Sequence, residues 1–113
     1  MAEIKNNTII MTQGDTLIVR IAIQNVDGTA YTPIEGDSLR FAMKKNYSDP
    51  QPIIIKTIPT DTMELVLDPA DTKGLQAGAA NGRYKYDIEL TRADGSVNTV
   101  IPRSDIVILE EVY

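Results

Sequence analysis

Carboxylates are the only plentiful reactive groups in this chain, sixteen Asp and Glu against eleven Lys and Arg. The first chemistry to test is therefore acid–base work by paired acids. Glu110 and Glu111 are adjacent, and neighbours on a strand point to opposite faces, which disqualifies them as a glycoside-cleaving pair. Asp68 and Asp71 straddle a helix start: Asp68 suits the N-cap, Pro69 the first helical position, and Asp71 the place where the helix N-terminus favours an acid. Asp61, Asp68, Asp71 and Asp105 are the acids available to gather a calcium ion, yet no segment has the Asp-x-Asp-x-Asp-Gly spacing of such a loop. Cysteine and histidine are both absent. That excludes disulfides, thiolate nucleophiles, zinc–thiolate sites, Ser-His-Asp catalysis and histidine-bound metals. The residues point to a protein that is not an enzyme and holds no cofactor or metal.

Gly74, Gly78 and Gly82 recur at even spacing, but no Lys-Ser or Lys-Thr follows as in a phosphate-cradling loop. Their expected use is a flexible approach to the strand that starts at Arg83. Lys44-Lys45 reads as the end of a strand rather than a phosphate patch. Tyr84 and Tyr86 share an alternating face with Ile88 and Leu90, which places them in the core with their hydroxyls sent to backbone partners at its edge. Tyr31, Tyr47 and Tyr113 lie in a turn, a loop and the terminus, so Tyr31 and Tyr47 are the candidate ligand contacts.

The elements that position these groups are nearly all strands. Arg83 to Thr91 alternates apolar and polar without a fault, and Asp94-Gly95 then supplies the turn of a hairpin returning through Thr99 to Ile101. Thr8 to Thr12, Asp15 to Gln24, Ser38 to Lys45, Ile53 to Ile58, Met63 to Leu67 and Ile106 to Val112 complete about eight strands, the spacing of a sandwich or barrel. Val26-Asp27-Gly28-Thr29 reads as a turn that repeats the Asp94-Gly95-Ser96 solution. Asn46 to Pro52 is a loop, and the segment from Asp68 is a single helical turn.

A length of 113 residues, 42% hydrophobic and 24% charged, gives one globular domain over 1–113. The net charge of −5 argues against nucleic acid and against an anionic membrane surface as partners. No apolar run approaches the roughly 20 residues of a membrane-spanning helix. Met1 to Asn7 has no signal-peptide pattern, so a cytoplasmic product is expected. Ile53-Ile54-Ile55 and Ile106-Val107-Ile108-Leu109 place apolar side chains on both faces of a strand, which makes Ile54, Val107 and Leu109 candidate interface residues.

One family shares these features. Leu65-Val66-Leu67-Asp68-Pro69-Ala70-Asp71-Thr72, then Gly82-x-Tyr84-x-Tyr86-Asp87-Ile88-x-Leu90, Asp94-Gly95 and Thr99-Val100-Ile101 follow one another in the C-terminal half. Gly14-Asp15-Thr16, Asp27-Gly28-Thr29-Ala30-Tyr31 and Gly36-Asp37-Ser38-Leu39-Arg40-Phe41 stand in the front half. The chain resembles, over residues 13 to 112, the small Ig-like β-sandwich domains of bacteriophage and prophage structural proteins, such as the N-terminal domain of baseplate upper proteins. It departs from them at Pro102-Arg103-Ser104-Asp105, where many such domains place a glycine between the last two strands. The resemblance implies an all-β, Ig-like antiparallel β-sandwich of about eight strands with one short helical turn. It further implies a non-catalytic tail, baseplate or neck module whose partners are other phage structural proteins or itself, present in host cytoplasm during assembly and then in the virion. The alternative is a carbohydrate- or receptor-binding module, or adhesin, of similar architecture.

Overall fold

The computed structural model describes residues 3–5, 7–25, 27–78 and 82–111. It is an all-β fold with two sheets. In chain order the strands are β1 (Glu3–Lys5), β2 (Thr8–Thr12), β3 (Leu17–Arg20), β4 (Ser38–Lys44), β5 (Ile54–Ile58) and β6 (Glu64–Leu67). A single helical turn, α1 (Pro69–Lys73), precedes β7 (Arg83–Thr91) and β8 (Val97–Leu109). The larger sheet has the order β1-β2-β8-β7-β4-β5, and the smaller pairs β3 with β6.

Strict alternation makes the centre of the large sheet. Tyr84, Tyr86, Ile88 and Leu90 of β7 are buried, and their register partners Leu39, Phe41 and Met43 of β4 lie on the same face. Ile9 and Met11 of β2 and Ile106 and Ile108 of β8 extend this face, and Leu17, Ile21, Ile23, Leu65 and Leu67 close over it from the other layer. The scarcity of aromatics leaves Phe41 and Tyr86, with ring centroids 5.5 Å apart, as the only ring pair among the described residues. The Tyr84 hydroxyl donates to the Gln76 carbonyl at 2.9 Å, and Tyr86 donates to the Asn7 carbonyl. Both tyrosines are core residues with hydroxyls on backbone partners, as their alternation predicts.

The two Asp-Gly turns share one hydrogen-bond pattern. The Gly28 N–H donates to the Asn25 carbonyl and Gly95 to that of Arg92, while the Asn25 and Arg92 N–H groups donate to the Thr29 and Ser96 carbonyls. Both glycines have φ near +90°, and each preceding Asp accepts from the backbone and hydroxyl of the following Thr29 or Ser96. Val26 of the first turn lies outside the described residues.

Three features depart from the expected pattern. First, β2 runs parallel to β8, with Ile9 opposite Ile106, so the sheet is mixed rather than wholly antiparallel. These strands come from opposite ends of the chain, and no hairpin dictates their relative direction. Second, Pro102 to Asp105 is not a turn between two strands. β8 is continuous over 13 residues, about 43 Å at the usual rise, which accounts for the 45 Å long axis. It has two irregularities: Tyr86 pairs with Ser104 and Ile88 with Ile101, so Pro102 and Arg103 both stand opposite Asp87 in a bulge, and Glu89 then pairs with Thr99, which leaves Val100 as a second extra residue. Third, the strand expected over Asp15 to Gln24 is β3 and ends at Arg20, although Ile21 and Ile23 continue to point inward. The Val112 end of the expected closing strand lies outside the described residues.

Gly82 is not a flexible approach but a close one. A Cβ there would come within 2.1 Å of the Ile108 carbonyl oxygen. The helical turn sits across one end, where the Gln13 side-chain amide donates to the carbonyls of Thr72, Lys73 and Leu75. No helix among the described residues is long and apolar enough to cross a membrane.

Candidate functional site

The period of two decides what the edge strand β5 offers. Ile54 lies opposite Met43 and Ile58 opposite Leu39, so both face the core, and Ile54 packs against it half-buried. The outward side chains are Ile55, 57% exposed, and its neighbour Ile53, 45% exposed. The exposed apolar position is thus one residue from Ile54, and Ile54 itself belongs to the core. Val107 is buried, on the strand face opposite Ile106 and Ile108, while Leu109 is partly exposed beside Thr12. Ile18 and Val66, register partners in the small sheet, are also exposed on its outer face.

Lys56, between these isoleucines, points to the inner face opposite Phe41. It does not enter the core: its Nζ reaches the Asp71 carboxylate at 2.9 Å and Asp68 at 4.0 Å. Asp71 also accepts from the Asp68 N–H at 2.7 Å, so the start of α1 and the edge strand share one ionic tie. An inward charge of this kind is a known way to restrain edge pairing.

Next to β5 the outer face of the large sheet becomes polar. Row by row across β4 and β7, Arg40 stands opposite Glu89, Ala42 opposite Asp87, and Lys44 opposite Lys85. Arg40 pairs with Glu89, and Lys85 reaches Asp105 at 2.5 Å, with Arg83 at 3.6 Å from the same carboxylate. Ala42, the smallest member of this array, leaves a depression of about 160 Å³ lined by Lys44, Tyr47, Lys85, Asp87 and Arg103. The loop after β4 brings Tyr47 over it. The Arg103 guanidinium lies 4.3 Å from the Tyr47 ring centroid and Lys85 Nζ 5.4 Å from it. Burial, followed by the Glu89 charge, holds the Asp87 acid above the usual carboxylate range, against the pull of Arg40 and Lys44.

The two sequence-predicted ligand residues are therefore separated in role. Tyr47 is 42% exposed at the rim of this basin. Tyr31 is tied into the fold: its hydroxyl donates to Asp37 at 2.5 Å, and Asp37 also accepts from the N–H groups of Ile34 and Ala93. The bond to Asp37 pushes the Tyr31 hydroxyl above the usual phenol range, and the same bond holds the Asp37 carboxyl below the usual carboxylate range. Tyr113 lies outside the described residues. Residue type and spacing alone do not mark Arg103 and Asp87 as neighbours of Tyr47. The signal was present as a proline inside an otherwise strand-like stretch, which marks a bulge.

The remaining acids are dispersed. Glu111 pairs with Lys73 at 2.7 Å, Glu110 lies beside Gly78, and Asp105 is on the outer face away from Asp68 and Asp71. Comparisons with family models, with curated proteins and with solved structures find no match to this chain.

Proposed function

We propose that this chain is a non-catalytic structural or assembly module of a phage or prophage particle, an Ig-like sandwich that acts through protein–protein contacts. The observation that carries the reading is the β5 edge. Ile53 and Ile55 are exposed side by side at the rim of the large sheet, on a strand whose outer backbone groups have no neighbouring strand among the described residues. Such an edge is a template for another chain. The partners this favours are a second copy of the chain or another particle protein, with no role for nucleic acid, membrane or cofactor. The net charge of −5 suits a subunit kept dispersed in host cytoplasm until it joins the virion.

Sedimentation velocity over a concentration series tests the contact, with self-association expected and weakened by Ile55→Lys. A monomer at every concentration would leave only a different particle protein as partner, which co-sedimentation with the neighbouring gene products would then have to supply. Capsid, portal or tail genes beside this one support the particle context. Their absence, together with a monomer that binds none of the adjacent products, overturns it.

A further inference from the structure

We propose that the basin around Tyr47 is a binding site for an anionic sugar unit, a hydroxyl-bearing ring that also carries a carboxylate or a phosphate. This goes beyond the assembly reading and does not rest on it.

Three observations converge. The basin is built by a device, not by chance surface relief: the bulge sets Pro102 and Arg103 opposite Asp87 alone and aims Arg103 at the Tyr47 ring. Bulges of this kind re-aim side chains beside functional sites. The size fits one ring, since a cavity of about 150 Å³ holds a six-membered ring and this depression measures about 160 Å³. The charges select the ligand. Lys44, Lys85 and Arg103 surround one lining acid, Asp87, on a chain whose overall charge is −5.

The lining acid decides between ligand classes. Asp87 makes no hydrogen bond or ion pair within reach among the described residues, so its oxygens are free to accept. A bare inorganic anion would meet this carboxylate as a like charge. A cation would meet Lys44 and Arg103, with Lys85 already held by Asp105. A ring hydroxyl donates to Asp87 without either penalty, while an acidic substituent on the same ring takes charge-assisted bonds from Arg103 and Lys44. The guanidinium already stacked on Tyr47 is held in place for that task.

The test is a chemical-shift titration of isotope-labelled protein with three probes: trigalacturonic acid, glucose 6-phosphate and uncharged maltotriose. Shifts confined to residues 42–47, 85–87 and 103 are expected with at least one anionic probe, at an affinity about tenfold or more above maltotriose. Which anionic probe binds tells a carboxylated sugar from a phosphorylated one. Arg103→Ala and the loop variant Tyr47→Ala, each checked for an unchanged melting temperature, should weaken binding by about tenfold. If Arg103→Ala does not fold, Tyr47→Ala alone decides. Absence of shifts with both anionic probes, equal binding of maltotriose, shifts scattered over the surface, or undiminished binding by the folded variants would overturn the proposal.

Discussion

At the level of single residues, the chain separates side chains that look alike in the sequence. Ile54 and Ile55 are neighbours of one type, but a period of two sends one to the core and one to water. Ile54→Lys is expected to cost about 2–4 kcal/mol in denaturant unfolding, because it drives a charge against the apolar interior. Ile55→Lys should unfold at an unchanged midpoint in dilute, unassociated protein, and equal losses at both sites there would refute the assignment of faces. Gly82→Ala is expected to destabilise by about 1–3 kcal/mol, since the Ile108 carbonyl leaves no space for a methyl group. The two perturbed aspartates have opposite pH signatures. Asp37 is lowered by its bond from Tyr31, so its contribution is present at neutral pH and is lost as pH falls through its folded value, below about 3.9. Asp37→Asn should therefore lower the melting temperature at pH 7 and converge with the parent in strong acid. Asp87 is raised by burial, so folding favours its protonated form and stability falls as pH rises from about 3.9 through its folded value. Asp87→Asn should raise the melting temperature at pH 7, the mark of a carboxylate retained at a cost to stability.

At the level of elements, alternation carried most of the information. The faces of β4 and β7, the buried tyrosines, both Asp-Gly turns and the single helical turn at Pro69 all follow from local rules of spacing and turn chemistry. What local rules cannot supply is pairing between distant segments. The parallel β2–β8 pair and the merging of two expected strands into β8 depend on partners far along the chain. The basin was hidden for the same reason, because Arg103, Tyr47 and Asp87 meet only once β8 has paired with β7 across a bulge. Deleting Pro102 would leave Arg103 alone opposite Asp87 and keep Ile101 and Ser104 on the inner face, so the bulge is removed without a change of face on either side. A cooperatively folded variant is the expected result, and loss of its cooperative melting transition would show that the bulge is required for the fold. Lys56 tests the edge in the other direction. Lys56→Val removes an inward charge from β5 and should increase self-association in a sedimentation series; an unchanged profile would mean that Lys56 serves only its tie to Asp71.

At the level of the whole molecule, two unequal layers leave one broad sheet with an apolar edge at β5 and a charged outer face beside it. The assembly reading uses the edge and the sugar reading uses the face, and each can fail without the other. The account stands or falls on whether another chain lies against β5. Amide hydrogen exchange of residues 53 to 58, followed from dilute to concentrated protein and in the presence of the products of neighbouring genes, examines that strand directly. The account predicts that outward amides of β5 gain protection as partner is added, and that Ile55→Lys abolishes the gain. Exchange at β5 that stays the same under every one of these conditions would contradict it.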